Sequence, residues 1–239
     1  MRVNLKALGL ALVAALAMSA VVASAAQAVN AKFTAPAYPT VTKGNQYGTV
    51  NYFEATPGEK IECTKAEYQA TLGEAKNTLT VTPHYSECAG RVIHLNGCHF
   101  DFETAGTTNG AGETPGTADV ICPKGTTITI TGNFGICEIH VQGSADGKNQ
   151  NLKGITFTNT ANGDVTVNVD ITKQIHYTDT DTAFCPFTAN TTGTEGSFVS
   201  KVLMAGFVDE GSEPHPTTNT GSHPTVTYKT GAVRDIHVK

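Results

Sequence analysis

The tightest constraint on this fold is an alternation of apolar with polar or β-branched residues that returns along most of the chain. Val165-Thr166-Val167-Asn168-Val169-Asp170-Ile171 is its cleanest instance. Successive side chains on a strand point to opposite faces, so such a run buries one face and wets the other. That is the habit of antiparallel sheets. The same period returns in residues 78–82, 98–103, 117–122, 126–131, 137–141, 155–158, 175–177, 224–228 and 232–238. Turn dipeptides such as Asn96-Gly97, Asp146-Gly147 and Asn162-Gly163 fall between them. Threonine, present 37 times, suits the wet side of these runs, because β-branched residues fit a pleated surface.

The expected fold class is therefore all-β. An antiparallel β-sandwich is the leading architecture, with a jelly roll or flattened barrel as alternatives that give the same one-dimensional pattern. Helix has little support. Thr64-Lys65-Ala66-Glu67 has capping-box spacing, but the run that follows lies between strand-like segments and contains Gly73, so strand is placed ahead of helix there. Residues 198–208 are apolar and open to a strand pair or a short helix. Residues 31–48, with Pro36 and Pro39, read as irregular or edge structure. Residues 210–223, with Pro214 and Pro216, read as an exposed loop before the last strands.

The first 28 residues carry an address. Arg2 and Lys6 precede an apolar run over 7–23, and small residues at Ala26 and Ala28 match the A-x-A cleavage rule. The expectation is a secretory signal peptide over 1–28 cut after Ala28, the other reading being a retained anchor. Residues 29–239 then form a single exported β domain, secreted or held in the cell envelope, with no membrane span of its own. Loss of Arg2 and Lys6 takes the formal charge from −5 to −7. An acidic surface without a Lys/Arg cluster excludes nucleic acid and anionic lipid as partners.

Six cysteines, Cys63, Cys88, Cys98, Cys122, Cys137 and Cys185, all follow the signal. An even count in an exported chain reads as three disulfides, with fifteen connectivities open. One pairing is argued from geometry. Residues 98–103 and 117–122 alternate, and the stretch between them is glycine-rich. A hairpin centred near Gly110 sets Cys98 directly opposite Cys122, at a Cα separation a disulfide tolerates. The runs 79–88, Asn96-Gly97-Cys98-His99-Phe100 and Cys122-Pro123-Lys124-Gly125 resemble a set of uncharacterised exported actinobacterial proteins. The resemblance covers roughly residues 60–185. It implies an exported, cysteine-paired β protein and carries no activity.

Chemistry is sparse. His99, Asp101 and Glu103 share one strand face, and Glu138 and His140 another. Were these strands neighbours, their side chains would make a metal site; otherwise they are ordinary solvent-face residues. Asp179-Thr180-Asp181 and Asn162-Gly163-Asp164 supply oxygens of the kind calcium uses, without the spacing of a calcium loop. Neither G-x-S-x-G nor H-E-x-x-H occurs, and no catalytic residue, metal ligand or cofactor is assigned. The leading expectation is an exported non-catalytic domain with a structural or interaction role toward a cell-surface or extracellular partner. A ligand- or carbohydrate-binding module comes second, weakened for sugars by the absence of tryptophan, and a secreted hydrolase third.

Overall fold

The computed structural model describes residues 30–48, 51–55, 59–132, 137–144, 150–180, 192–207, 214–216, 226–228 and 233–239. Met1 to Ala28, with Ala26 and Ala28, lies outside them, as do Cys185, Asp181 and most of residues 210–223. No helix among the described residues is long and apolar enough to cross a membrane.

The strands are β1 (Phe33–Thr34), β2 (Thr40–Gln46), β3 (Asn51–Ala55), β4 (Glu59–Cys63), β5 (Lys65–Leu72), β6 (Thr78–Ser86), β7 (Val92–His94), β8 (His99–Thr104) and β9 (Glu113–Ile121). They continue as β10 (Ile128–Gly132), β11 (Cys137–Val141), β12 (Leu152–Asn159), β13 (Val165–Thr180) and β14 (Thr192–Phe207). The last are β15 (Pro214–Pro216), β16 (Val226–Tyr228), β17 (Val233–Arg234) and β18 (His237–Val238).

Eight strands, β14-β2-β5-β6-β8-β9-β12-β13, hydrogen-bond in that order, and the pairing of β13 with β14 closes the ring into an antiparallel barrel. Closure is the alternative architecture expected from the alternation. The pairings do not establish the sandwich that was placed ahead of it. The reason is β13 and β14, each 16 residues long: β13 reads in sequence as two short strands, and of β14 only residues from 198 on were open to a strand pair or a short helix. The Val165–Ile171 half of β13 pairs with Phe198–Met204 of β14 inside the barrel wall. Beyond a register shift between Ile171 and Ile175, the same two strands run out of the barrel. There β13 pairs with β11, followed outward by β10 and β7, while β14 pairs with β3 at Ser197–Val199, where it leaves the wall, and β4 follows β3.

Alternation sets the interior. Leu79, Val81 and Pro83 on β6 face in while Thr80, Thr82 and His84 face out. Ala66, Tyr68, Ala70 and Leu72 do the same on β5, where the capping-box reading fails because every second residue is buried. Residues 198–207 are likewise strand. The amino-terminal stretch departs from expectation. Residues 40–46 are not edge structure but a wall strand between β14 and β5, buried on both faces from Thr40 to Asn45. Burial on both faces erases the alternation by which a strand is recognised, and Pro36 and Pro39 lie before the strand begins. Within the expected 210–223 loop, Pro214–Pro216 pairs as a strand with Val226–Tyr228.

The barrel core is an aromatic column. Phe33, Phe157, Phe102, Phe100, Phe198, Tyr85 and Tyr68 follow one another at centroid spacings of 5.0 to 6.4 Å, mostly edge to face. Such contacts add about 0.5–1.5 kcal/mol each to the burial of the rings. Gly116 makes room for it: a Cβ there would lie 2.4 Å from the Phe157 ring and 2.7 Å from the Glu103 carbonyl. Two chain ends seal one side of the core. β1 pairs with β18, burying Phe33, Ile236 and Val238, and Asn159 both donates to and accepts from the Val238 backbone at 2.9 and 2.7 Å.

Candidate functional site

The β8–β9 hairpin forms in the expected register, with His99 opposite Ile121 and Glu103 opposite Thr117. Cys98 therefore meets Cys122, and the two are bonded at a Cα separation of 4.1 Å. The turn into β8 uses Asn96 and Gly97, both at positive φ, with the Cys98 amide donating to Leu95 at 2.9 Å. A second bond joins Cys63, at the end of β4, to Cys88, in the turn between β6 and β7. Cys137 is also disulfide-bonded, and no described cysteine is free.

The ligand-type side chains on the two outer faces do not meet. β8 lies between β6 and β9, whereas β11 lies between β10 and β13. His99 and Asp101 approach at 3.8 Å, and Asp101 also accepts a hydrogen bond from Thr80 at 2.6 Å. Glu103 accepts from Asn77 at 2.9 Å. Glu138 and His140 pair with each other at 3.4 Å, and Thr127 lies 3.2 Å from His140 Nδ1. Among the described residues, no three His, Cys, Asp or Glu side chains gather in a way that would hold a metal ion. The calcium candidates are separated too. Asp164 precedes β13 and Asp179 stands near its far end, about 50 Å apart along a strand at roughly 3.3 Å per residue. Asp164 instead faces Asp235 across the tight turn at Gly163. Its carboxyl is pushed upward, first by burial and then by the Asp235 charge.

What the structure does gather is a cavity of about 70 Å³ at the end of the column away from the sealed chain ends. It lies where the barrel wall meets the strands that leave it. Phe100 and Val120 line it from the wall, Phe53 and Ile61 from β3 and β4, and Ile130 and Ile175 from β10 and β13. Its surface is almost wholly hydrocarbon. Asn51, Tyr52 and Tyr85 are among the residues that line it.

Asn51 and Tyr85 adjoin a small buried polar group. The Tyr68 hydroxyl lies 3.2 Å from Asn51 Oδ1, to which it donates, and 3.1 Å from Ser200 Oγ; Ser200 also donates to Asn51. Asn51 Nδ2 donates to Gln46. Burial pushes the Tyr68 phenol up to about 12 despite those bonds. The Tyr85 ring stacks edge to face on Tyr68 at 6.1 Å, and its buried hydroxyl has the Tyr68 hydroxyl as its polar neighbour, outside ordinary hydrogen-bond geometry. Burial above all, and then the neighbouring Tyr68 hydroxyl, hold the Tyr85 phenol well above the ordinary tyrosine range. Both phenols stay neutral throughout physiological pH.

Neither the cavity nor this polar group figured among the sequence candidates. A signal was present nonetheless. Tyr85 continues the inward phase of Leu79, Val81 and Pro83, Tyr68 that of Ala66 and Ala70, and Ser200 that of Val202 and Met204. A polar tip at an inward position must find a partner or carry the desolvation cost. No family model, curated protein or solved structure matches the chain.

Proposed function

We propose that this is an exported, non-catalytic β-barrel of the extracellular space or cell envelope that works by binding, with its interior cavity as the binding site. The apolar cavity of about 70 Å³ carries this reading. Protein interiors are close-packed, so a void of this size forgoes contacts that a guest would restore. An apolar cavity also stays dry and takes up apolar molecules; one of ~150 Å³ holds benzene or xenon. The disulfides of Cys63 with Cys88 and Cys98 with Cys122 support the extracellular or envelope setting, because such bonds persist in oxidising compartments. His99 with Asp101 and Glu138 with His140 pair locally on their own strands, which favours a binding role over a catalytic one.

Xenon is the direct probe, being apolar, small and indifferent to hydrogen bonding. Crystals of the mature protein pressurised with xenon are expected to show one occupied site among Phe53, Ile61, Ile130 and Ile175. A well-ordered crystal with no xenon there would overturn the reading.

A further inference from the structure

Three Asn-Gly pairs stand in the chain, Asn96-Gly97, Asn109-Gly110 and Asn162-Gly163, each with an exposed asparagine. Such a pair is chemically labile, because glycine has no side chain to keep its backbone nitrogen from the preceding side-chain carbonyl carbon. The fold treats the three differently. Asn96 Nδ2 donates to the Thr127 carbonyl at 2.9 Å and to Thr129 Oγ1 at 3.1 Å. Asn109 Oδ1 accepts from the Ala111 and Glu113 amides, both at 2.9 Å, and its Nδ2 donates to Glu113 Oε2 at 3.2 Å. Cyclisation must turn the side-chain carbonyl toward the glycine nitrogen and release Nδ2, so at both places these bonds must break first. The Asn162 side chain has no hydrogen bond among the described residues. Its turn, between β12 and β13, is closed by the Gly163 amide donating to Thr160 at 3.3 Å, a long bond that holds the attacking nitrogen weakly.

We propose that Asn162 is a site of spontaneous deamidation, the Asn-Gly pair of the three that the folded protein leaves free to react. The Gly163 backbone nitrogen loses its proton and bonds to Asn162 Cγ, and the Cγ–Nδ2 bond breaks with loss of ammonia. One water then opens the succinimide. Cleavage of the nitrogen's bond to Cγ gives aspartate at 162. Cleavage of its bond to the backbone carbonyl carbon gives isoaspartate, whose main chain runs through Cβ and Cγ and is one carbon longer. Either product sets a carboxylate two residues from Asp164, which already faces Asp235. Asp235 also packs on Gly163, where a Cβ would lie 2.2 Å from its Oδ1. The Gly163 carbonyl accepts the Ile236 amide at 2.8 Å, the bond that holds the carboxyl end against this turn. Added like charge and a longer main chain both act on that bond, so the modification loosens the β1–β18 seal without a protease or a reductant.

Ageing the folded mature protein at mildly alkaline pH, in water enriched in heavy oxygen, tests this, because product formed in the folded state carries the label in its new carboxyl group. Peptide mass spectrometry is expected to show label at 162 building up at least about tenfold faster than at 96 or 109, the ratio set by one net hydrogen bond broken before reaction. The reduced, denatured chain is expected to lose that preference, since the dipeptide is the same at all three places. Amide exchange at Ile236 is expected to quicken in the aged protein but not in aged Asn162→Gln, whose longer side chain closes a six-membered ring far more slowly. Folded protein in which 162 keeps its amide, or in which 96 or 109 converts as fast, would overturn the site. Label at 162 with exchange at Ile236 unchanged would overturn its action on the seal.

Discussion

At the scale of single residues, the polar side chains that matter are those in the wrong phase for their strand. Tyr68, Tyr85, Asn51 and Ser200 stand where the alternation calls for hydrocarbon, and they are the ones that meet inside the barrel. Of the acidic and histidine residues that drew notice in the sequence, His99, Asp101, Glu103, Glu138 and His140 are in phase, on outer faces. Phase, and not residue type, separated a site from a solvated surface. The same scale yields a pH effect. The Asp164 carboxyl is raised by burial and by Asp235. A carboxyl that holds its proton more tightly folded than unfolded stabilises the fold below the unfolded pKa, near 4, and loses that contribution as pH rises through the folded value. At neutral pH the pair is a charged repulsion at the turn that links Gly163 to Ile236. Asp235→Asn is therefore expected to raise the melting temperature at neutral pH and to lose that advantage below about pH 3.5. A thermal series across pH 3 to 7 checks it; a constant difference would show that the two carboxylates do not interact.

At the scale of elements, legibility depended on whether a strand's partner lay close in the chain. The β8–β9 hairpin carried its own evidence in two alternating runs and a glycine-rich link, and its register and disulfide followed. β2 did not, because its neighbours are β5 and β14 and it is buried on both faces. β13 was legible as strand from Val165 to Ile171 and again at Ile175–Tyr177, but not as one strand. Lys173, at positive φ, and the register shift around it interrupt the alternation without ending the element. Gly154, at φ +102°, serves the matching irregularity of β12; a Cβ there would lie 2.0 Å from the Asp170 carbonyl oxygen. The cavity arises where those irregularities turn β13 and β14 out of the barrel, and nothing in a local pattern announces such a departure. The Cys98–Cys122 bond clamps the hairpin at that end. Its 24-residue separation implies that replacing both cysteines by alanine lowers the unfolding free energy by about 3 kcal/mol, measured by urea titration. A loss below about 1 kcal/mol would mean that the hairpin holds its register without the bond.

At the scale of the whole molecule, apolar groups face inward and threonine, charged and amide side chains face outward, the reverse of a barrel that meets lipid. β13 and β14 serve the barrel and the strands outside it at once. Their shared segment, Val165–Ile171 against Phe198–Met204, is expected to hold the slowest-exchanging amides in native-state hydrogen exchange. Exchange that was instead fastest there would mean the two parts open independently. The barrel seam has a further consequence, for the order in which the molecule can assemble. Gly44 pairs with Met204, and Phe33 with Val238, so the wall and its seal join opposite ends of the chain. Contacts of such sequence separation carry a large loop-closure cost and make folding slow. A chain emerging amino end first, from a ribosome or through a narrow channel, must hold β2 with one edge unpaired until its partner in β14, 160 residues further on (Gly44 to Met204), has arrived. Until then a nascent copy carries an open strand edge, and the arrival of β14 decides whether it closes upon itself or upon a neighbour.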